Sequence, residues 1–301
     1  MTQFDSGRPD SGMERKTIIT KPSEDYELLD MGREEKLERY GKFTLARPDP
    51  QALWEKTLGE GEWGKADGRF EREGREGVWH SENLPKDWQI SFGGLKFIIK
   101  PTSFKHTGLF PEQLSNWEWA SDAIKRSKRQ ISVLNLFGYT GGATLACANA
   151  GAQVTHIDAS KTAVSWAREN AALSGLNEKP IHWITEDVLV FVKREIKRGN
   201  RYDAIIMDPP AFGHGPKDEL WKIEEDFLEL VKLCKELLSD NPLFVLINGY
   251  AAGYSPLAFA YNLEPFEKTW GGEVEYGDLA IEAAKSGRLL PCGIFARWCK
   301  H

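Results

Sequence analysis

Residues 133–142, VLNLFGYTGG, decide the fold of this chain. An apolar run typical of a buried strand enters a turn with Gly138, Gly141 and Gly142, and the segment that follows, ATLACANA, is typical of a helix. Gly138 and Gly141 permit backbone conformations that a Cβ atom would penalise, and Gly142 lets a ligand approach the helix N-terminus closely. The stretch therefore predicts a strand, a turn and a helix, with a ligand at the turn.

Apolar runs alternate with amphipathic stretches throughout the chain after about residue 100, as a parallel α/β sheet requires. The predicted strands are residues 131–137, 153–157, 181–185, 204–207 and 243–247. The predicted helices are residues 113–125, 142–150, 160–174, 187–198 and 219–238. Residues 277–284 and 289–298 are two β-rich segments joined by a turn, which predicts an antiparallel hairpin at the sheet edge.

The first hundred residues have a different pattern. Residues 1–23 are polar and without periodicity, which predicts a flexible tail. Residues 24–100 contain short β-like runs separated by Gly and Asp turns, including Gly93-Gly94, so we expect a small antiparallel β domain. The remaining residues, 101–301, form the predicted α/β domain.

Composition excludes several classes of protein. The chain has 301 residues, 41% of them hydrophobic, which is enough for an ordinary buried core. The longest apolar runs have about five residues, far short of the ~18–20 that a membrane span requires. The N-terminus has no apolar signal segment, so we expect a cytoplasmic protein.

Charge and metal-binding residue types narrow the possibilities further. The net charge is −6, so the chain as a whole lacks the basic surface of a nucleic-acid binder, and any such site must be local. Four cysteines occur without a C-x-x-C pair, and six histidines have no ligand spacing. We expect neither a disulfide framework nor a metal site.

Two carboxylates follow predicted strands at the sheet edge where ligands bind in α/β proteins. Asp158 lies twenty residues beyond Gly138, where it could accept hydrogen bonds from both hydroxyls of an adenosine ribose. Asp187 could bind the adenine amino group, and a helix N-cap is an equal alternative. The glycine spacing is G-x-x-G-G rather than G-x-G-x-x-G, which disfavours a nicotinamide-dependent dehydrogenase.

The fourth predicted strand ends in residues 208–212, DPPAF. The two prolines hold the chain extended, so that the Asp208 carboxylate and the Pro209 carbonyl can each accept one hydrogen of an amino group. The nitrogen lone pair then faces an electrophile, and Phe212 offers a ring on which a planar base can stack. The alternative is a plain strand-ending turn. His214 and Lys217, just beyond, could line an acceptor site or be exposed loop residues.

These motifs together resemble the class I S-adenosylmethionine-dependent methyltransferases. Residues 105–113, KHTGLFPEQ, narrow the resemblance to the bacterial group that includes large-subunit ribosomal RNA methyltransferases, which carry a similar T-G-x-F-x-x-Q segment. The resemblance implies a Rossmann-like sheet of seven strands ending in a hairpin, a small β domain in front of it, and S-adenosylmethionine as cofactor.

The resemblance also implies roles for individual residues. The catalytic residues would be Asp208, Pro209, Pro210 and Phe212. The cofactor-binding residues would be Thr107, Gly108, Phe110 and Gln113 in the segment that closes over the cofactor, with Asn135, Phe137, Gly138, Tyr139, Thr140, Gly141, Asp158, Ala159, Ser160 and Asp187.

The function implied is methylation of a base in ribosomal RNA, with an amino nitrogen favoured as acceptor. Cytosine-5 methylation in this group uses a cysteine after strand five, where this chain reads LINGY at residues 246–250. The position of Cys292 relative to the site is open, as is the oligomeric state. Methylation of a protein side chain or small molecule, and a non-catalytic RNA-associated role, are the alternatives.

Overall fold

The computed structural model describes residues 14–73, 76–81, 84–250 and 253–301. Its N-terminal elements are β1 (Arg15–Thr20), β2 (Tyr26–Gly32), β3 (Glu35–Tyr40), β4 (Phe43–Pro48), α1 (Glu60–Trp63), β5 (Gly68–Glu73), β6 (Glu76–His80), β7 (Trp88–Phe92) and β8 (Leu95–Ile99). Strands β2 to β6 form one sheet, and β7 and β8 form a separate hairpin across Gly93-Gly94. The sheet is antiparallel except for the short parallel pair β4 and β5.

The rest of the chain alternates strands with helices. After a 3₁₀ helix (Pro111–Gln113) the elements are α2 (Leu114–Ser127), β9 (Ser132–Leu136), α3 (Gly142–Asn149), β10 (Gln153–Asp158), α4 (Lys161–Leu173), β11 (Ile181–Thr185), α5 (Val188–Arg198), β12 (Ala204–Met207), β13 (Phe212–His214), β14 (Leu220–Lys222), α6 (Ile223–Leu237), β15 (Phe244–Gly249), α7 (Pro256–Trp270), β16 (Glu273–Glu282) and β17 (Leu289–Cys299).

The main sheet has eight strands in the order β1-β16-β17-β15-β12-β9-β10-β11. Only β17 runs antiparallel to its neighbours. Leu134 and Leu136 of β9 pack on one face with α5, α6 and α7, while Val133 packs on the other face with α2 and α3. The predicted Rossmann-like α/β sheet and its terminal hairpin are therefore confirmed.

The eighth strand corrects the prediction of a flexible tail. Residues 15–20, which fall within the predicted tail of residues 1–23, form β1 and pair in parallel with residues 276–281 of β16. The Arg15 guanidinium also donates two hydrogen bonds of 2.8 Å to the Asp278 carboxylate. The partner strand lies some 260 residues away in the sequence, so no local pattern indicates this edge strand. Residues 1–13 lie outside the described part of the chain.

Two further elements differ from the predictions. Helix α7 was not predicted. The helix predicted from residue 219 begins at Ile223, because residues 220–222 form β14 and pair with β13 in a short hairpin. This hairpin directly follows the D-P-P segment, beyond the end of β12. It is separate from the main sheet.

The N-terminal β region packs closely against the α/β part. The Ile98 amide donates a 2.9 Å hydrogen bond to the Asn170 side chain, and the Trp166 indole donates a 3.0 Å bond to the Ile98 carbonyl. One apolar cluster joins Tyr26 and Leu28 with residues of α3, α4 and the β16–β17 hairpin. The region is thereby positioned to contribute to a site at the sheet edge. In the part of the chain described, we find no helix long and apolar enough to cross a membrane.

Candidate functional site

A cavity of about 700 Å³ lies where the parallel strands β9, β10 and β12 end. This is the crevice where the strand order reverses, the usual binding position in open α/β sheets. A smaller cavity of about 60 Å³ shares Phe110, Phe137, Tyr139 and Asp208 with it. The larger volume is in the range of pockets that bind small ligands.

The structure brings most of the predicted site residues to these cavities. Those that line the larger cavity are Phe110, Phe137, Tyr139, Asp158, Ala159, Ser160, Asp187, Asp208, Pro209 and Pro210. Those that line only the smaller cavity are Gly108, Gln113, Asn135, Gly138 and Thr140. Those that line neither are Thr107, Gly141 and Phe212.

The glycine turn between β9 and α3 is held by hydrogen bonds and close packing. Gly141 has a φ of +91°, which favours glycine, whereas Gly138 has no such φ. A Cβ atom on Gly138 would lie 2.4 Å from the His156 ring, so this glycine is required for packing. Phe137 and Tyr139 have φ values of +57° and +47°, and this uncommon backbone directs both side chains to the cavity.

Gly142 has a packing role that was not predicted. A Cβ atom there would lie 2.1 Å from the Trp117 indole of α2. Gly142 therefore allows α2 and α3 to approach closely. It also lines the smaller cavity, so ligand approach at this turn stays a prediction.

Asp158 connects the end of β10 to the glycine turn by a hydrogen bond. One carboxylate oxygen accepts a 2.8 Å hydrogen bond from the Tyr139 amide, and the other accepts one of 2.8 Å from the Ser160 amide. Burial raises the pKa of Asp158, and these two bonds oppose the shift. Each oxygen keeps a second lone pair, so the carboxylate can still accept from a ligand in the cavity.

Asp187 is the N-cap of α5, as one of the two predictions for it proposed. Its Oδ1 accepts a 2.9 Å hydrogen bond from the Val190 amide. Asp187 also lines the larger cavity, so the cap leaves its second oxygen available there.

Asp208 stands at the end of β12 with an unsatisfied acceptor. Its Oδ1 is buried and has no hydrogen-bond partner among the described residues. Burial raises the pKa of Asp208 to about 7, and the nearby Glu112 contributes to the shift. The Pro210 carbonyl accepts a 2.7 Å bond from the Trp221 indole, whereas no donor in the described part of the chain bonds to the Pro209 carbonyl. A buried acceptor in a cavity wall is suited to a donor on a ligand.

The residues just beyond D-P-P lie in the β13–β14 hairpin. The Phe212 residue is 56% exposed and meets His214 edge-on, with ring centroids 5.2 Å apart. His214 lines the larger cavity and also contacts Asp218 at 3.2 Å, whereas Lys217 is exposed. A stacking role for Phe212 stays a prediction.

The segment at residues 107–113 packs against the glycine turn. The Thr140 hydroxyl donates a 2.6 Å hydrogen bond to the Gly108 carbonyl, and Phe110 contacts the Tyr139 ring at a centroid distance of 5.5 Å. Gly108 has a φ of +94°, and a Cβ atom there would lie 2.0 Å from Trp166. Thr107 is fully buried. The segment therefore covers the turn, and its residues 109–112 line the larger cavity.

A network of hydrogen bonds holds the side chain of Gln113, which lines the smaller cavity. Gln113 donates a 2.6 Å hydrogen bond to the Tyr250 hydroxyl and accepts one of 3.3 Å from Asn116. Asn116 also donates to Asn248 at 2.8 Å and accepts from Arg297 at 3.2 Å. The residues after the fifth predicted strand are thus joined to the T-G-x-F-x-x-Q segment, a link that sequence reasoning missed.

Residues that were not predicted as site residues also line the larger cavity; those with polar, charged or thiol side chains include Lys36, Arg47, Asp49, Lys105, Glu112, Tyr250 and Cys292. Tyr250 could have been found from its place after a strand at the ligand-binding edge. Glu112 lies inside the T-G-x-F-x-x-Q segment, and burial raises its pKa to about 7. Lys36 and Arg47 come from the N-terminal sheet, and nothing in their local sequence indicates a ligand.

Cys292, whose position the sequence left open, lies in the cavity wall near the start of β17. Its Sγ donates a 3.3 Å hydrogen bond to the Leu290 carbonyl. Burial raises the pKa of the Cys292 thiol well above its usual value, so the sulfur is protonated at neutral pH. A thiol in this state is a poor nucleophile.

The residues described contain no group of three or more His, Cys, Asp or Glu side chains placed to hold a metal ion. On the side of the cavity where the strands end, the groups described above are carboxylates, backbone carbonyls and aromatic rings. These groups suit a ligand with hydroxyl and amino donors and a planar ring.

Comparison with known proteins agrees with this geometry. Residues 64–260 match the model of an S-adenosylmethionine-dependent methyltransferase family. The crystal structure of an S-adenosylmethionine-dependent methyltransferase from Agrobacterium tumefaciens is similar over the whole of both chains, with a TM-score of 0.90 and 37% identity.

Two curated relatives are similar over part of their length. Ribosomal RNA large subunit methyltransferase K/L of Shewanella frigidimarina is 34% identical over 157 residues, which are 52% of this chain and 21% of that protein. Ribosomal RNA large subunit methyltransferase I of Aeromonas salmonicida is 32% identical over 217 residues, 72% of this chain and 50% of that protein. This chain therefore spans between a fifth and a half of these relatives. Because the family model covers well over half of the chain and agrees with the fold and the cavity, this protein belongs to the S-adenosylmethionine-dependent methyltransferases.

Proposed function

We propose that this protein methylates an amino nitrogen of a base in ribosomal RNA, using S-adenosylmethionine. The observation that carries the proposal is the buried Asp208 Oδ1, which has no partner among the described residues. Asp208 lines the cavity next to Pro209, whose carbonyl also accepts no bond from the described residues. Together these two acceptors match the two hydrogens of an amino group.

The cofactor side of the proposal rests on the strand ends. Asp158 and Asp187 line the cavity with lone pairs available for ribose hydroxyls and an adenine amino group, and Phe137 and Tyr139 provide rings beside them. When bound, S-adenosylmethionine would supply an activated methyl group. We propose that the remaining predicted cofactor residues act by shaping the wall: Thr107, Gly108, Phe110, Gln113, Asn135, Gly138, Thr140, Gly141, Ala159 and Ser160.

Asp208 has two tasks in the proposed chemistry. As a carboxylate it accepts a hydrogen bond from the acceptor nitrogen and orients that nitrogen's lone pair. The nitrogen gains a methyl group and must lose one proton, and Asp208 with a pKa of about 7 can accept that proton near neutral pH. Pro209 and Pro210 keep the acceptors in place, because their rings restrict the backbone.

The RNA substrate is supported by the names of the two curated relatives, both ribosomal RNA large subunit methyltransferases. It is also supported by cationic side chains at the cavity, which give an acidic protein a local site for phosphate. We also propose a cytoplasmic location, as the sequence predicts.

Transfer of labelled methyl to RNA from a strain that lacks this protein tests the proposal. The enzyme is incubated with the RNA and labelled S-adenosylmethionine, and the nucleosides are separated by mass spectrometry. We expect one base methylated on an amino nitrogen in ribosomal RNA. The same RNA incubated with an Asp208→Ala variant is the control, since this variant should bind S-adenosylhomocysteine but transfer little methyl.

Other outcomes point elsewhere. Labelled 5-methylcytidine would contradict the amino-nitrogen acceptor and require a role for Cys292. Label in protein or small molecules, with none in RNA, would contradict the RNA substrate. Cofactor binding without transfer to any acceptor would support a non-catalytic role.

A further inference from the structure

The N-terminal sheet forms a cationic wall of the cavity. Lys36 of β3 and Arg47 of β4 are paired neighbours at the open end of their hairpin, and both line the cavity. Lys105, in the loop after β8, lines the same region. We call these three side chains the cation cluster.

Two members of the cation cluster are neutralised by carboxylates. The Arg47 guanidinium donates to the buried Glu38 carboxylate, with a 2.9 Å bond from Nε, and its Nη1 donates 2.9 Å to the Lys105 carbonyl. The Lys36 ammonium lies 3.3 Å from Asp49 and 3.7 Å from Glu38. Glu38 and Asp49 are thus paired with Arg47 and Lys36, and neither carboxylate is paired with Lys105.

Lys105 is the third cation. Its ammonium has a 3.4 Å contact with the Pro48 carbonyl, and among the described residues no carboxylate lies within 4.0 Å of it. The side chain is partly buried, and its backbone has a φ of +63°, an uncommon conformation that persists where surrounding structure imposes it. The Asp49 carboxylate, which acts on Lys105 from beyond 4.0 Å, is already paired with Lys36, so an anionic ligand would stabilise this partly desolvated cation.

The surroundings of Lys105 are positive. Burial, together with the charges of Arg47, Lys105 and Lys36, lowers the pKa of the neighbouring His106 to about 4, so the imidazole is neutral at pH 7. Burial also lowers the pKa of Lys105, and Lys36 adds to that shift. Glu112, with a pKa of about 7, is only half ionised at neutral pH and offsets part of this charge.

We propose that Lys105, supported by Arg47 and Lys36, binds a backbone phosphate of the acceptor RNA and so positions the target base at Asp208. The inference rests on the proposed function and deepens it, because it assigns the N-terminal sheet to substrate binding. A phosphate carries a permanent negative charge and several acceptor oxygens, which match an ammonium and a guanidinium in one cavity. The carboxylate of the cofactor's methionine is the other anion that could reach the cation cluster, and the experiment separates the two.

The experiment compares four proteins: the wild type, Lys105→Gln, Lys105→Arg and the control Lys42→Gln. Lys42 lies in the turn at the other end of the β3–β4 hairpin, so its change removes one positive charge from the same sheet away from the cavity. Affinity for S-adenosylhomocysteine is measured by calorimetry. The KM for RNA is measured in the methyl-transfer assay over a range of salt concentrations.

For Lys105→Gln we expect the KM for RNA to rise about tenfold, with S-adenosylhomocysteine affinity unchanged within about twofold. The salt dependence of log KM should weaken by about 0.7, the value for one phosphate contact on a single strand. Lys105→Arg should keep most of the RNA affinity, and Lys42→Gln should match the wild type. Unchanged S-adenosylhomocysteine binding also shows that a variant is folded.

Two results would overturn this inference while leaving the proposed function intact. One is RNA methylation by Lys105→Gln with wild-type KM and salt dependence. The other is a loss of S-adenosylhomocysteine affinity with an unchanged KM for RNA, which would assign Lys105 to the cofactor carboxylate. Absence of RNA methylation by the wild type, with S-adenosylhomocysteine bound, would overturn the proposed function and this inference together.

Discussion

The strand-end wall and the cationic wall of the cavity are built in different ways. The strand-end wall consists of side chains that directly follow parallel strands, and its charged members are Asp158, Asp187 and Asp208. The cationic wall takes Lys36 and Arg47 from a separate antiparallel sheet and Lys105 from a loop. Acceptors for hydroxyl and amino donors thus meet cations for an anion in one cavity. We propose on this basis that one wall binds the reacting groups and the other anchors the substrate.

The largest expected effect is on the strand-end wall, at Asp208. Asp208→Asn keeps the side-chain size and one acceptor oxygen, but it cannot take up the proton that the acceptor nitrogen loses. We expect the single-turnover rate to fall by about 10²-fold or more, as for loss of a general base. Calorimetry with S-adenosylhomocysteine should give wild-type affinity. A rate within tenfold of the wild type would remove Asp208 from proton transfer.

The pH dependence of the wild-type transfer rate tests proton uptake by Asp208 in a second way. Because the pKa of Asp208 is about 7, the rate should be constant above that pH and fall about tenfold per unit below it. Asp208→Asn should lack this dependence.

The second effect is on the unfolding free energy of the protein, through the ion pairs of the cationic wall. Glu38 is fully buried, and although burial alone would raise its pKa, Arg47 and Lys36 lower the pKa to about 2. Relative to the ordinary value of 4.5, this shift corresponds to about 3 kcal/mol of unfolding free energy above pH 4.5. Glu38→Gln should lose about this amount in urea unfolding at pH 7.

The sign of the linkage provides the control for Glu38. Because the folded-state pKa is lowered, the stabilisation is present above pH 4.5 and is lost as the pH falls toward 2. The difference in unfolding free energy between the wild type and Glu38→Gln should therefore shrink below pH 4.5. An equal difference at pH 7 and pH 3 would show that the loss comes from packing.

The third effect is on cofactor affinity, at Asp158. Asp158→Asn keeps one acceptor oxygen for the turn but removes the charge and one acceptor. We expect S-adenosylhomocysteine affinity to fall about 30-fold, the size of one or two lost hydrogen bonds to a charged group. Asp122→Asn removes an exposed carboxylate of α2 and should leave affinity unchanged. If Asp158→Asn changed the KM for RNA but not the affinity for S-adenosylhomocysteine, Asp158 would belong to the RNA site and not to the cofactor site.

The smallest effect is expected at Cys292, which also lines the cavity. Cys292→Ser should change the transfer rate by less than about threefold, because methylation of an amino nitrogen needs no covalent attack by a thiol. The measurement is the same RNA transfer assay. Loss of transfer, with a trapped enzyme–RNA adduct in the wild type, would contradict the amino-nitrogen acceptor.

The strand-end wall was predictable because its signals are local. A glycine turn follows one apolar run, Asp158 follows the next, and D-P-P follows another, and strand ends of a parallel sheet meet at one edge. The packing of Trp117 against Gly142 was not predictable, since no local pattern indicates it. The role of Phe212 stays a prediction.

The cationic wall was not predictable, because its members depend on contacts between distant parts of the chain. Lys36 and Arg47 lie in ordinary strands with mixed charge, and Lys105 lies in a loop. Their common feature, a shared cavity with Asp208, exists only after the N-terminal sheet packs on the α/β part.

The sequence by itself determined the α/β sheet, its terminal hairpin and the acidic residues at its strand ends, because hydrophobic periodicity and turn residues act over a few positions. Only the tertiary structure decided that β1 completes the sheet, that Asp208 has a buried oxygen and a raised pKa, and that three cations line the same cavity. Edge pairing, desolvation and the electrostatic field all depend on which distant groups are brought together, and no local pattern encodes those distances.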